Sequence, residues 1–281
     1  MHLFDALLSS LFRTNFLEYL PMTRAITVLC LSGHDPGGGA GLQADIETLA
    51  AHGIHALGVI TALTVQDSRN VRRVIATDPG LLDEQLDVLL ADMQPDAVKL
   101  GLLGSAAQLD VIVHRLAALA VPVVCDPVLR AGGGTDLVAV DFPSALRRQL
   151  LPQVAVLTPN ASEARRLVPE AAGDLDASAA ALLADGCTRV LITGGDEAEA
   201  STSVINRCYE HNAPPRTCEW PRLPETFHGA GCTLASAIAS RLALGDTLDD
   251  AIDAGQRWTQ RALARAVAVG GGRRIPGRFI E

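Results

Sequence analysis

From residue 26 onward the chain alternates short β-branched or aliphatic runs with stretches whose apolar residues recur every three or four positions. That is the pattern of repeated βα units and a mainly parallel sheet. The runs predict strands over 26–31, 54–60, 71–76, 97–100, 121–125, 154–157, 189–193 and 203–209. Several are almost continuously apolar, as strands covered by helices on both faces are. The helical period predicts helices over 42–51, 81–93, 106–119, 144–150, 162–168, 177–184, 232–244 and 248–267. Gly53 and Gly245 stand where helix stops are expected, and Thr247 with Asp250 resembles a capping box. There is no internal repeat, and the glycine tracts are too short to tether separate domains. The pattern therefore predicts one α/β domain over 26–281.

Residues 1–25 fall outside that alternation. Their hydrophobic residues could form a short amphipathic arm. A secretory leader is not expected, because no basic region precedes the apolar part, Asp5 and Glu18 lie within it, and it has no small-residue cleavage site. Met22, just before the first strand, is an alternative start.

Composition narrows the partners. With 48% hydrophobic and 20% charged residues in 281, the chain can bury a large core and is not an intrinsically disordered one. Aromatics are 4%, the formal charge is −9, and no basic run forms a positive face, so nucleic acid and anionic membrane are poor partners. No apolar stretch reaches the length that spans a bilayer. The six cysteines are irregularly spaced, with no C-x-x-C, and read as reduced thiols of a cytoplasmic protein.

Four segments at strand ends carry candidate chemistry, and loops at the carboxyl ends of strands are where open α/β sheets bind ligands. In the stretch 32–45, a glycine-rich turn enters a helix. Its glycines, among them Gly37, would let a ligand approach the backbone, and Asp35 and Gln43 could hydrogen-bond a small polar ring. It matches neither phosphate-binding glycine signature, and a tight strand-to-helix connection explains it as well. Asp126 follows a strand and precedes Pro127, so it either holds a metal-bound water or simply ends the strand. Asn160 and Glu163 have capping-box spacing, yet they also suit nucleotide phosphates and Mg²⁺. Gly229, Ala230 and Gly231 open a helix of small residues whose free N–H groups would form an anion hole. Cys232 sits at the same positive end, which predicts a lowered thiol pKa, although a buried, inert thiol fits the position too.

Taken in order, SGHDPGGGAGLQADIETL, VITALTVQD, AVKLGLLGS, CDPVLRAGGG, LTPNASEA, LITGGDEA and FHGAGCTLASAIA resemble the vitamin-kinase branch of the ribokinase-like family. They are most similar to the hydroxymethylpyrimidine/phosphomethylpyrimidine kinases of thiamine biosynthesis. The resemblance implies a three-layer αβα sandwich with a central, mainly parallel sheet, forming a homodimer. It implies ATP- and Mg²⁺-dependent phosphorylation of 4-amino-5-hydroxymethyl-2-methylpyrimidine and then of its monophosphate. Gln43, Asp35 and Gly37 would meet the pyrimidine, Asp126 and Glu163 the metal, and Asn160, Thr193 and Gly195 the nucleotide. Gly229, Ala230 and Gly231 match the family's anion hole, and Cys232 its catalytic cysteine.

Three segments depart from the family pattern. Thr193-Gly-Gly-Asp196 stands where Lys-Gly-Gly-His is usual, and Arg130 could supply the missing cation. Gly-Ala-Gly replaces Gly-Thr-Gly in the anion hole, and Leu102 replaces a methionine in a volume-conserving change. Two alternatives stay open: a pyridoxal-type kinase, which usually has Asp at the Cys232 position, and a pyrimidine-binding protein that has lost catalysis.

Overall fold

Strand β1, Thr27–His34, divides its apolar side chains between two cores: Val28 and Cys30 enter one, Leu29 and Leu31 the other. That double burial explains why the run reads as continuous rather than alternating. The computed structural model describes residues 24–197 and 201–279, so the predicted N-terminal arm lies almost wholly outside the described residues.

The other strands are β2 (His55–Gln66), β3 (Val71–Ala76), β4 (Ala97–Leu100), β5 (Val123–Cys125), β6 (Val156–Leu157), β7 (Arg189–Ile192), β8 (Ser203–Tyr209) and β9 (Arg216–Pro221). They form one sheet in the order β3-β2-β1-β4-β5-β6-β7-β8-β9. The strands from β2 across to β7 are parallel, and β3, β8 and β9 add antiparallel edges.

Helices α2 (Pro79–Asp92), α3 (Ala106–Leu116), α4 (Phe142–Gln149), α5 (Ala161–Leu167) and α6 (Leu175–Ala184) pack on the face that holds Leu29 and Leu31. Helices α1 (Gly41–Ala51), α7 (Ala230–Ala243) and α8 (Leu248–Ala264) cover the other, through Leu42, Leu49, Leu234, Ile238 and Ile252. The expected three-layer αβα arrangement is present. Each fully buried Leu or Ile contributes about 2 kcal/mol of transfer free energy, and the two clusters contain many of them.

Register is what builds the site. Leu31 pairs with Leu100, Leu100 with Cys125, Cys125 with Leu157, and Leu157 with Val190. These paired positions lie in one row across the sheet, and the residues that follow them, Ser32, Gly101, Asp126 and Thr158, lie along one edge. Two differences from expectation stand out. β2 runs on to Gln66 because its second half pairs with β3, and β9 was not predicted.

Candidate active site

The loop leaving β1 is organised by its own acid. Asp35 Oδ1 accepts the Gly37 N–H at 2.8 Å and Oδ2 the Ala40 N–H at 2.9 Å, while His228 Nε2 lies 2.8 Å from Oδ2. Burial alone would raise the carboxyl pKa; the His228 bond, the two N–H groups and the His228 charge outweigh it and hold it below the usual range. Asp35 is thus engaged in shaping the glycine loop. Gly41 opens α1 at φ +60°, where a Cβ would fall 2.1 Å from the Gly33 carbonyl oxygen, so only glycine fits. Gln43, exposed in the first turn of α1, donates to Glu47 at 2.9 Å and lays its amide over Gly38.

Facing this loop is the start of α7. Gly229 takes φ +87°, and a Cβ there would lie 1.9 Å from the Gly39 carbonyl oxygen, so the two glycine segments touch backbone to backbone. The N–H groups of Ala230, Gly231 and Cys232 have no protein acceptor among the described residues, as expected of a first helical turn. Gly231 is exposed, and a Cβ on it would stand 3.2 Å from Asp126 Oδ2, which fixes the β5 carboxylate beside the helix start.

Cys232 is buried below that turn, and the Gly41 N–H points at its sulfur. The expected lowering of its pKa is corrected here: the thiol is pushed up to about 12. Burial is the main cause, and the negative Asp126 and Asp45 add to it, against the opposing Lys99 charge and the Gly41 N–H. The helix end is positive, but the surroundings are dry and contain carboxylates.

Asp126 is raised to about 6 by burial and by Asp45, with Lys99 and a bond to Cys232 opposing. Glu163 is raised to about 8 by burial and then by Asp126, with the Asn160 and Leu129 N–H groups opposing. Two buried carboxyls, both raised by burial and one of them raised further by the other, suit a cation. Hard oxygen donors with room for phosphate and water are what Mg²⁺ takes. Among the described residues no three His, Cys, Asp or Glu side chains converge, so the protein alone would supply only part of such a coordination sphere.

Asn160 and Glu163 do form the capping box of α5. Asn160 Oδ1 accepts the Glu163 N–H at 2.8 Å, and Glu163 Oε2 accepts the Asn160 N–H at 3.0 Å. Asn160 pairs with Thr193 across a short bridge, which brings the ends of β6 and β7 together. Asp196 accepts the Ala161 and Ser162 N–H groups at 3.1 and 2.8 Å, so the residue that departs from the family histidine neutralises the start of α5. Gly195 is exposed beside it. Arg130 is held by its own loop, donating to the Gly134 carbonyl at 2.6 Å and lying 3.5 Å from Asp136. Leu102 packs with Ala62, Val71 and Leu137 and against Gly33.

Sequence reasoning missed the buried Lys99–Asp45 pair, Arg278 and His228, which organise this site. Lys99 is fully buried, 2.7 Å from Asp45 and 3.0 Å from Ser32 Oγ, and both serines Ser32 and Ser236 donate to Asp45, at 2.6 and 2.8 Å. Burial opposes the lysine charge, yet Asp45, Cys232 and Asp126 hold its pKa above the ordinary value. A lysine inside the apolar run AVKL was the available signal. Arg278, also fully buried, donates to the Gly38 and Gly39 carbonyls, to Thr233 Oγ1 at 3.0 Å and to Glu47 at 3.0 Å. It joins the glycine loop, α1 and α7, and with His228 it holds the two glycine segments face to face.

The mainly parallel αβα sheet, its strand ends meeting a helix start with free N–H groups and a buried acid, has the ribokinase-like fold. The pyridoxal kinase of Staphylococcus aureus shares the fold, with a TM-score of 0.83 at 24% identity over 92% of this chain and 94% of that one. Within that class, this chain belongs to the phosphomethylpyrimidine kinase family, whose profile matches residues 35–276. It is 37% identical over 255 residues to the hydroxymethylpyrimidine/phosphomethylpyrimidine kinase of Synechococcus elongatus, covering 89% of this chain and 96% of that protein. A Clostridium difficile phosphomethylpyrimidine kinase structure aligns with a TM-score of 0.71 at 28% identity, over 85% of this chain and 99% of that one.

Proposed function

We propose that this chain uses ATP and Mg²⁺ to phosphorylate 4-amino-5-hydroxymethyl-2-methylpyrimidine and then its monophosphate, in thiamine biosynthesis. The observation that carries this reading is the family match over residues 35–276, because every residue of the edge just described falls inside it except Ser32, Gly33 and Arg278. The glycine loop with Gly37 and Gln43 receives the pyrimidine, and Asp35 keeps that loop in shape. The α7 N–H groups of Ala230, Gly231 and Cys232 receive the charge that builds on the transferring phosphoryl group. Asn160, Thr193 and Gly195 border the nucleotide. Arg130 would reach it only if its own loop opened, so Asp196 and Thr193 leave that corner without a nearby lysine.

Mg²⁺ at Asp126 and Glu163 would supply charge neutralisation between phosphates, which phosphoryl transfer chiefly needs. Cys232 is the candidate base for the substrate hydroxyl. With its thiol held protonated, positioning by the helix start contributes more to the first step than proton abstraction does. The second acceptor is an ionised phosphate and needs no base. On the same reading the enzyme is cytoplasmic and homodimeric, with one kinase domain from about residue 26. Its six cysteines are free, and no helix among the described residues is long and apolar enough to cross a membrane.

The test is incubation with ATP, Mg²⁺ and the pyrimidine, following mono- and diphosphate by mass spectrometry. Both products should form. Turnover of pyridoxal alone would replace this reading with a pyridoxal kinase, and binding without turnover would leave a binding protein. Cys232→Ala should slow the first phosphorylation by about tenfold, at or below the low end of general-base effects, and the second much less; equal losses would remove Cys232 as the hydroxyl base.

A further inference from the structure

The chain's only two tryptophans, Trp220 and Trp258, line the same groove, at the far ends of α1 and α7 from the site. Helix α1 runs 11 residues from Gly41, about 16 Å of rise, before it reaches His52 at the groove wall. The groove encloses about 640 Å³, within the range of small-molecule sites.

Its polar lining is cationic in a chain of net charge −9. Arg241, Arg257, Arg261 and His52 all face it, and no carboxylate does. Arg257 and Arg261 are exposed, and neither makes an ion pair among the described residues. They sit four residues apart on α8, where like charges cost a few tenths of a kcal/mol, so helix stability does not explain the choice. Arg241 is held by two bonds to Asp246, at 2.7 and 3.0 Å. His52 Nδ1 donates to the Thr48 carbonyl at 2.8 Å, which leaves Nε2 without a protein partner. The imidazole lies 4.8 Å from the Trp258 ring at 49°. Burial chiefly depresses the imidazole pKa; the bond to the Thr48 carbonyl opposes it, and the Arg241 and Arg261 charges add to the fall.

Guanidinium groups take phosphate through paired N–H donors, and an aromatic wall made of half-buried Trp220 and of His52 packed near the buried Trp258 suits a planar ring. From this juxtaposition we infer that the groove binds a phosphorylated planar heterocycle, at a site separate from the catalytic edge. Two sources share that chemistry: a nucleotide, and a phosphorylated pyrimidine of the kind the enzyme is proposed to make.

Intrinsic tryptophan fluorescence reads this groove directly. The full chain is titrated with adenosine monophosphate and, separately, with the hydroxymethylpyrimidine monophosphate; adenosine and inorganic phosphate are the controls. At least one of the two phosphorylated heterocycles should quench saturably, with each control at least about tenfold weaker, and the tighter of the two identifies the source. The variant Arg257→Ala/Arg261→Ala should weaken binding by about tenfold or more while leaving KM for the kinase reaction unchanged. Four results would overturn the proposal: no saturable change with either compound up to about 10 mM, quenching by inorganic phosphate that is as tight, quenching that survives the arginine substitutions, or a sedimentation shift from dimer to monomer in the variant. The last would assign the groove to a second copy of the chain. Because KM and quenching are read separately, failure of this site is distinguishable from failure of the kinase assignment.

Discussion

Replacing Lys99 by methionine removes the cation from a cluster with no access to water. Its ammonium sits 2.7 Å from Asp45, both side chains have zero exposure, and the remaining donors to that carboxylate are the hydroxyls of Ser32 and Ser236. Breaking a buried ion pair by deleting one partner costs about 3–5 kcal/mol, because the other charge is left uncompensated. Set against a total stability of order 5–15 kcal/mol, that is about a fifth of it or more, and a fall in Tm of roughly 10 °C. The measurement is the urea midpoint at unchanged m value, for Lys99→Met, Asp45→Asn and the double variant. Asn in place of Asp keeps an acceptor for the serines while discarding the charge. The double variant should regain most of what the single lysine change loses. A loss below about 1 kcal/mol in Lys99→Met, or a double variant as unstable as the sum of the singles, would show that the pair does not stabilise the edge in this way.

Arg278→Ala should lower the first phosphorylation sharply, since four contacts between the C-terminal segment, the glycine loop, α1 and α7 disappear; free guanidinium in the assay should restore part of it, and Arg278→Lys should not. Gly229→Ala should cost more than the usual 1–2 kcal/mol of a left-handed alanine, because its Cβ meets the Gly39 carbonyl at 1.9 Å, and the protein should fold with a displaced loop and little activity; near-normal turnover would count against the close approach. Asp35 has a folded pKa below its unfolded one, so its contribution is present above the ordinary Asp range and is lost as the pH falls through the folded value. Urea midpoints from pH 7 to pH 3 should therefore fall less steeply for Asp35→Asn than for the parent, although the variant starts lower.

The parallel core was legible because buried strands announce themselves as apolar runs, and β1, β4 and β7 were found where the structure has them. β9 was not, since Arg216–Pro221 is a six-residue edge strand that is mostly exposed, with only Cys218 and Trp220 half-buried and a closing proline, too short an alternation to stand out. The glycine segments and Asp126 were visible as strand-end motifs. What they touch was not: the contacts of Asp35 with His228 and of Arg278 with Gly39 join residues some 193 and 239 positions apart, and no local pattern encodes them. The thiol pKa failed for a related reason. The positive helix end at Cys232 can be read locally, whereas the burial and the neighbouring Asp126 and Asp45 that reverse its effect come from elements far away in the sequence.

Arg278 also bears on the order in which the molecule is made. The glycine loop is synthesised near the beginning of the chain and the residue that clamps it near the end, so no nascent chain can hold the loop in its final shape until the last strand, both final helices and the closing segment have left the ribosome. Synthesis proceeds from the N-terminus, and such long-range closure is slow to form. The glycine loop is therefore among the last parts of the edge to set, and a chain that lost Arg278 would retain its sheet and both cores while lacking the clamp on that loop.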